Sequence, residues 1–253
     1  MDNNTALMLS KVPQITLMFW VIKIAATTLG ETGGDLLSMS LGLGYLLSTA
    51  IFAVLFVVLL VVQVSADRYY PYLYWFTIIA STMVGTTLAD FMDRSLGIGY
   101  AGGASILLFL VLASLFIWKQ VTGHIESHWV VSRQSEIFYW LTITFSQTLG
   151  TALGDWTADS AGLGYTGGML LFGGLLLLVI LLHFYSRISK TILFWLAFVL
   201  TRPLGAVLGD FLDKPIAAGG LDLSRFMASL ILLLFIGSCI YFYKKDGRLV
   251  SST

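Results

Sequence analysis

Four copies of one helical hairpin run through this chain, and that repetition constrains the fold more than any other feature. LGETGGD ends at Asp35, VGTTLAD at Asp90, LGTALGD at Asp155 and LGAVLGD at Asp210. A glycine stands five residues before each aspartate, at Gly30, Gly85, Gly150 and Gly205. A tryptophan stands ten residues before each of those glycines, at Trp20, Trp75, Trp140 and Trp195. Three copies continue into G-[LI]-G-Y turns, Gly42 to Tyr45, Gly97 to Tyr100 and Gly162 to Tyr165; the fourth reads Ala217-Ala218-Gly219-Gly220 instead. The repeats fall at about 14–66, 69–120, 134–187 and 189–244, within a single domain over 1–253.

What surrounds the motifs fixes the solvent. Residues are 57% hydrophobic and 11% charged, and mean hydropathy is +0.88. A soluble domain carries about 25% charged residues. The composition therefore excludes a water-soluble enzyme, a nucleic-acid binder and a disordered chain. Fourteen basic residues balance fourteen acidic ones, so net charge names no partner beyond the lipid bilayer. The single cysteine, Cys239, excludes a disulfide framework and any multi-cysteine metal site. Each repeat holds two apolar stretches of membrane-spanning length. The predicted fold is all-α: a polytopic membrane protein of eight transmembrane helices, built from four hairpins of one orientation about an axis normal to the membrane.

An even number of spans puts both termini on one side. Lys11, Arg68, Lys119, Arg133, Arg187, Lys190, Lys244, Lys245 and Arg248 lie on that side; Arg94, Lys214 and Arg225 lie opposite. The positive-inside rule predicts cytoplasmic termini. The N-terminus has no basic n-region and no small-residue cleavage site, so no signal peptide is expected.

The odd-numbered spans carry two adjacent stripes. The first is small: Ala26-Gly30-Gly34, Ser81-Gly85-Ala89, Ser146-Gly150-Gly154 and Thr201-Gly205-Gly209. Such stripes let helix backbones approach closely in lipid, and the four small faces are expected to touch one another. The second is polar: Lys23-Thr27-Glu31-Asp35, Thr82-Thr86-Asp90-Arg94, Gln147-Thr151-Asp155-Asp159 and Arg202-Ala206-Asp210-Lys214. Charges in hydrocarbon are costly unless paired or hydrated. The odd spans are therefore expected inside, with polar stripes lining a shared path, and the even spans outside against lipid. The aspartates fall ~30 Å along their spans, near the extracytoplasmic mouth. The tryptophans are expected as anchors of the interfacial aromatic belt.

These motifs resemble a bacterial membrane-protein family of four tandem repeats of unknown function, each with two transmembrane segments and a characteristic tryptophan, usually labelled "membrane-anchored protein". Trp20, Trp75, Trp140, Trp195, the four G-x(4)-D cores and the Thr201-Arg202-Pro203-Leu204-Gly205 run carry the likeness over nearly the whole chain. The resemblance implies the topology and supplies no activity.

Function is then read from the polar stripe. Eight carboxylates lie in the repeat cores: Glu31, Asp35, Asp90, Asp93, Asp155, Asp159, Asp210 and Asp213. With threonines beside them and no thiol, the ligand set suits a hard divalent cation. The leading expectation is a secondary transporter of such a cation, carried as substrate with no resident cofactor and driven by proton exchange or by the membrane potential. Asp35, Asp90, Asp155, Asp210 and Glu31 are the candidate ligands. Lys23 and Arg202 are countercharges, and Thr27, Thr86, Gln147, Thr151 and Asp159 line the path. Two alternatives stay open: a transporter of a small organic solute, and a non-transporting scaffold or partner subunit with internal ion-pair networks. The aspartates have a competing role as hairpin caps that bond loop amides. No catalytic residues are expected, because neither an HExxH zinc motif nor a GxGD pair occurs. His124 and His128, with Glu126 between them, form a lesser candidate metal site in the middle loop. Nothing in the sequence indicates a homo-oligomer.

Overall fold

The computed structural model describes residues 11–125, 130 and 132–245. Eight long helices follow one another: α1 (Leu17–Asp35), α2 (Gly44–Ser65), α3 (Pro71–Asp90), α4 (Tyr100–Thr122), α5 (Arg133–Asp155), α6 (Gly164–Tyr185), α7 (Lys190–Asp213) and α8 (Arg225–Lys245). Local signals set several starts. Thr16 and Ser132 cap α1 and α5, accepting from the Phe19 and Ser135 amides, and Pro71 opens α3, where a missing N–H costs nothing.

The odd helices close into a ring, α1 on α3, α3 on α5, α5 on α7 and α7 on α1. Helices α1 and α5 are thus diagonal partners, as are α3 and α7. Each even helix packs chiefly on the odd helix of the next repeat, α2 on α3, α4 on α5 and α6 on α7, and α8 closes the circle on α1. The hairpins are therefore splayed, and every interface in the ring joins two repeats. Outward residues of the even helices, such as Val54, Val58, Phe109, Leu170 and Leu234, stay exposed as lipid-facing surface.

Among the described residues six helices are long and apolar enough to cross a membrane unaided, and α1 and α5 are not among them. Both have the length, but each spends it on buried polar residues: Lys23, Thr27, Glu31 and Asp35 in α1, and Glu136, Thr142, Gln147, Thr151 and Asp155 in α5. The ring and its outer helices keep those groups from lipid, which is how a helix too polar to insert alone is retained.

The small stripes do not meet one another as the sequence led us to expect. Each receives the polar stripe of its neighbour. A methyl group on Gly30 would overlap Thr82, one on Gly150 would overlap Arg202, and one on Gly205 would overlap Thr27. On Gly85 it would lie 2.9 Å from the Gln147 backbone. The physical reason is volume: a groove of glycines is filled by a threonine or by the stem of an arginine, not by another groove. The polar stripes consequently interlock at the centre.

Repeats 1–3 end their odd helices identically. A five-residue π-helical turn follows each aspartate, at Leu36–Ser40, Phe91–Ser95 and Trp156–Ser160. The G-x-G turn comes next, with both glycines left-handed, φ 69° and 73° at Gly42 and Gly44. That conformation disfavours any side chain and explains the motif. Repeat 4 has no G-x-G-Y; α7 continues to Asp213, and Pro215 leads a short 3-10 turn, Ile216–Ala218.

Candidate functional site

Equivalent positions in the four repeats stack as layers along the ring. The lowest layer, toward the end that bears the termini, is aromatic: Phe19-Trp20, Tyr74-Trp75, Tyr139-Trp140 and Phe194-Trp195. Trp75, Trp140 and Trp195 are buried, and Trp20 is half-buried. The tryptophans are thus not an interfacial belt, contrary to expectation; they pack sideways between helices, with Trp195 edge-on to Trp118 and Trp75 tilted against Phe19. The Tyr74 and Tyr139 hydroxyls share a hydrogen bond of 2.6 Å. Lys11 pairs with Glu136 at 3.0 Å at the same end, and Val12 and Val130 join the hydrophobic cluster there.

One layer up, Lys23 from α1 crosses the ring toward α5. Its Nζ lies 3.4 Å from Gln147 Oε1 and 4.1 Å from the centre of the Phe198 ring. Arg202 then crosses from α7. It donates through Nη1 and Nη2 to Glu31 Oε2 at 3.1 Å, and through Nη2 to the Thr86 and Thr151 hydroxyls at 2.5 Å. Glu31, Thr86 and Thr151 occupy the same register position in repeats 1, 2 and 3. One guanidinium from repeat 4 therefore gathers all four repeats. Thr27 ties α1 to α7 by donating to the Thr201 carbonyl at 3.1 Å.

The aspartate layer divides in two. Lys214 holds Asp35 at 2.6 Å and Asp210 at 3.0 Å, joining repeats 4 and 1. Arg94 lies 3.1 Å from Asp90 and 3.2 Å from Asp155, joining repeats 2 and 3. Arg94 and Lys214 both stand four residues after their repeat's aspartate, so the layer has twofold, not fourfold, character. Arg225 adds contacts to Asp213 at 2.8 Å and Asp35 at 3.7 Å. Tyr45 and Tyr100 flank Arg94, at 3.3 and 3.1 Å. Burial works against the charge on Lys214, but Asp210 and Asp35, followed by Asp213, outweigh it and hold the ammonium above the ordinary lysine range.

Carboxylate oxygens of Glu31, Asp35 and Asp210 converge within 4.8 Å of one another, all buried. Asp35 Oδ1 there has no hydrogen-bond partner. Asp90 and Asp155 belong instead to the Arg94 group, and Asp159 is exposed, accepting from the Tyr100 hydroxyl at 3.3 Å. Asp35, Asp90 and Asp155 make no side-chain cap bond to the turns that follow them, so their role is not that of hairpin caps.

The repeats themselves decide the kinship. The family described as Repeat of Unknown Function (DUF347) matches four times, over residues 18–69, 73–123, 138–189 and 193–248. The chain belongs to that family. Each matched repeat is one odd helix plus the even helix that leaves it for the next repeat, so the family unit is a covalent hairpin and not a packing unit. No curated protein and no solved structure matches the chain.

Sequence reasoning identified the carboxylates and placed Arg94 and Lys214 at the ends of the polar stripes, but counted them with Arg225 as charges of the opposite side and assigned none of the three as an aspartate partner. The i, i+4 spacing that continues those stripes was the signal for two of them. Arg225, from the helix of the next hairpin arm, carried no local sign. Of the histidine pair, Glu126 and His128 lie outside the described residues.

Proposed function

We propose that this protein is a secondary transporter whose substrate is a small, hard, divalent cation, bound among Glu31, Asp35 and Asp210. The observation that carries the reading is the convergence of three buried carboxylates from two helices, one with an unpartnered oxygen. Oxygen ligands without thiols favour Mg²⁺, Mn²⁺ or Ca²⁺. Lys214 holds this site in the absence of metal. Because its neighbours keep it protonated, it leaves by competition from a metal ion and not by losing its proton near neutral pH. Charge supports the same reading: eight core carboxylates face five cations, Lys23, Arg94, Arg202, Lys214 and Arg225. Lys23 and Arg202 cross the ring between the site and the aromatic end. Fixed positive charge there opposes a continuous cation pore and favours a carrier that must rearrange. In the bacterial inner membrane, with cytoplasmic termini, the site lies toward the extracytoplasmic side.

The pairing of Lys214 with both Asp35 and Asp210 also favours a second reading, in which the ion pairs only fix helix register in a membrane scaffold. Metal flux into proteoliposomes separates the two. Asp35→Asn and Asp210→Asn are expected to reduce Mn²⁺ or Mg²⁺ uptake at least tenfold in protein that remains folded, whereas Asp159→Asn leaves uptake unchanged. Absence of metal uptake by the folded wild type would support the scaffold.

A further inference from the structure

Midway along the ring, two buried basic side chains cross in layers, and among the described residues one carboxylate, Glu31, contacts them. Glu31 neutralises Arg202 through the guanidinium Nη atoms, leaving Arg202 Nε without a partner. Among the described residues Lys23 has no carboxylate in contact; it reaches the Gln147 oxygen at 3.4 Å and the face of Phe198. The Gln147 amide nitrogen is also unpartnered. Lys23, Gln147 and Arg202 are all 0% exposed.

These donors belong to one region. Arg202 lies along Gly150 and bonds Thr151, the turn directly above Gln147 on α5. Phe198, beneath the Lys23 ammonium, is one turn from Arg202 on α7. The region therefore presents spare N–H bonds from an ammonium, an amide and a guanidinium. A water molecule accepting from them would bring two hydrogens of its own that need acceptors. A small anion accepts from several donors, brings none, and offsets the charge that Glu31 leaves uncompensated.

We propose that Lys23, the Gln147 amide and Arg202 Nε form a binding site for a small monovalent anion, of halide or formate size. The site lies below the carboxylate cluster and does not depend on the cation reading. An anion there links α1, α5 and α7, of which α1 and α5 face each other diagonally across the ring.

The test uses the purified full chain in detergent at fixed pH and ionic strength, melted in sodium chloride, bromide or formate against sodium isethionate, whose anion is too large. The small anions are expected to raise Tm saturably, by roughly 5–10 °C at a hundredfold excess over Kd. Lys23→Met and Gln147→Leu should lose that increment, and Asp35→Asn should keep it. Equilibrium dialysis of the wild type with radiolabelled chloride should retain about one ion per chain, a readout that does not require any variant to fold. Identical wild-type melting in all salts, no retained chloride, or a full anion response in Lys23→Met would each overturn the proposal.

Discussion

At the terminus-bearing end of the ring, the four repeats contribute nearly the same chemistry, an aromatic residue followed by tryptophan; at the other end they contribute the same aspartate but different partners. The aromatic layer is held by ring contacts and a Tyr74–Tyr139 hydrogen bond, which need no charge balance, and the Lys11–Glu136 pair beside it is already neutral. The charged end cannot be fourfold, because four buried aspartates in identical surroundings would repel. It is resolved by Arg94 and Lys214 into two bridged pairs. Equal repeats therefore serve for packing, and unequal ones are needed wherever charge must be neutralised.

The strongest break of this contrast lies between the two ends. Arg202→Met strands Glu31 in the ring and should cost about 3–5 kcal/mol in reversible unfolding. Adding Glu31→Gln should restore much of it, since the loss comes from an uncompensated buried charge. No recovery in the double variant would mean that Arg202 acts through its packing against Gly150 alone.

At the charged end, Gly42→Ala forces a left-handed alanine into the turn after the first π-helical segment. A loss of about 1–2 kcal/mol is expected. Gly173→Ala, in the interior of lipid-facing α6 with open space around it, should be neutral or slightly stabilising. Equal effects at the two glycines would remove the turn geometry from the account of the motif.

The aromatic end gives the smallest effect. Tyr74→Phe leaves the buried Tyr139 hydroxyl without its partner and should cost about 1 kcal/mol. The Tyr74→Phe/Tyr139→Phe pair should cost less than the two single changes together. Strict additivity in that cycle would show that the hydroxyls do not support one another.

Much of the architecture was legible because lipid leaves few choices. Apolar stretches of fixed length had to be helices, the four G-x(4)-D cores had to be equivalent, and stripes too polar for lipid had to face inward. The inward placement of the core carboxylates was legible for the same reason. The tryptophans were misread because a belt and a buried layer place them at the same depth; only the neighbours that cover Trp75 and Trp140 distinguish the two. The small stripes were misread because a glycine groove shows that something approaches closely, without showing what.

The sequence by itself determined the helices, their inward faces and the recurrence of one carboxylate per repeat. Periodicity and the cost of exposed polar groups act along a single helix, so a linear pattern records them. Tertiary structure alone decided that each even helix serves the following repeat, that each glycine groove takes its neighbour's polar stripe, and that Arg202 gathers Glu31, Thr86 and Thr151. Those choices depend on which surfaces meet around a closed ring. Volume and charge must balance across helices there, and no single repeat contains both halves of that balance.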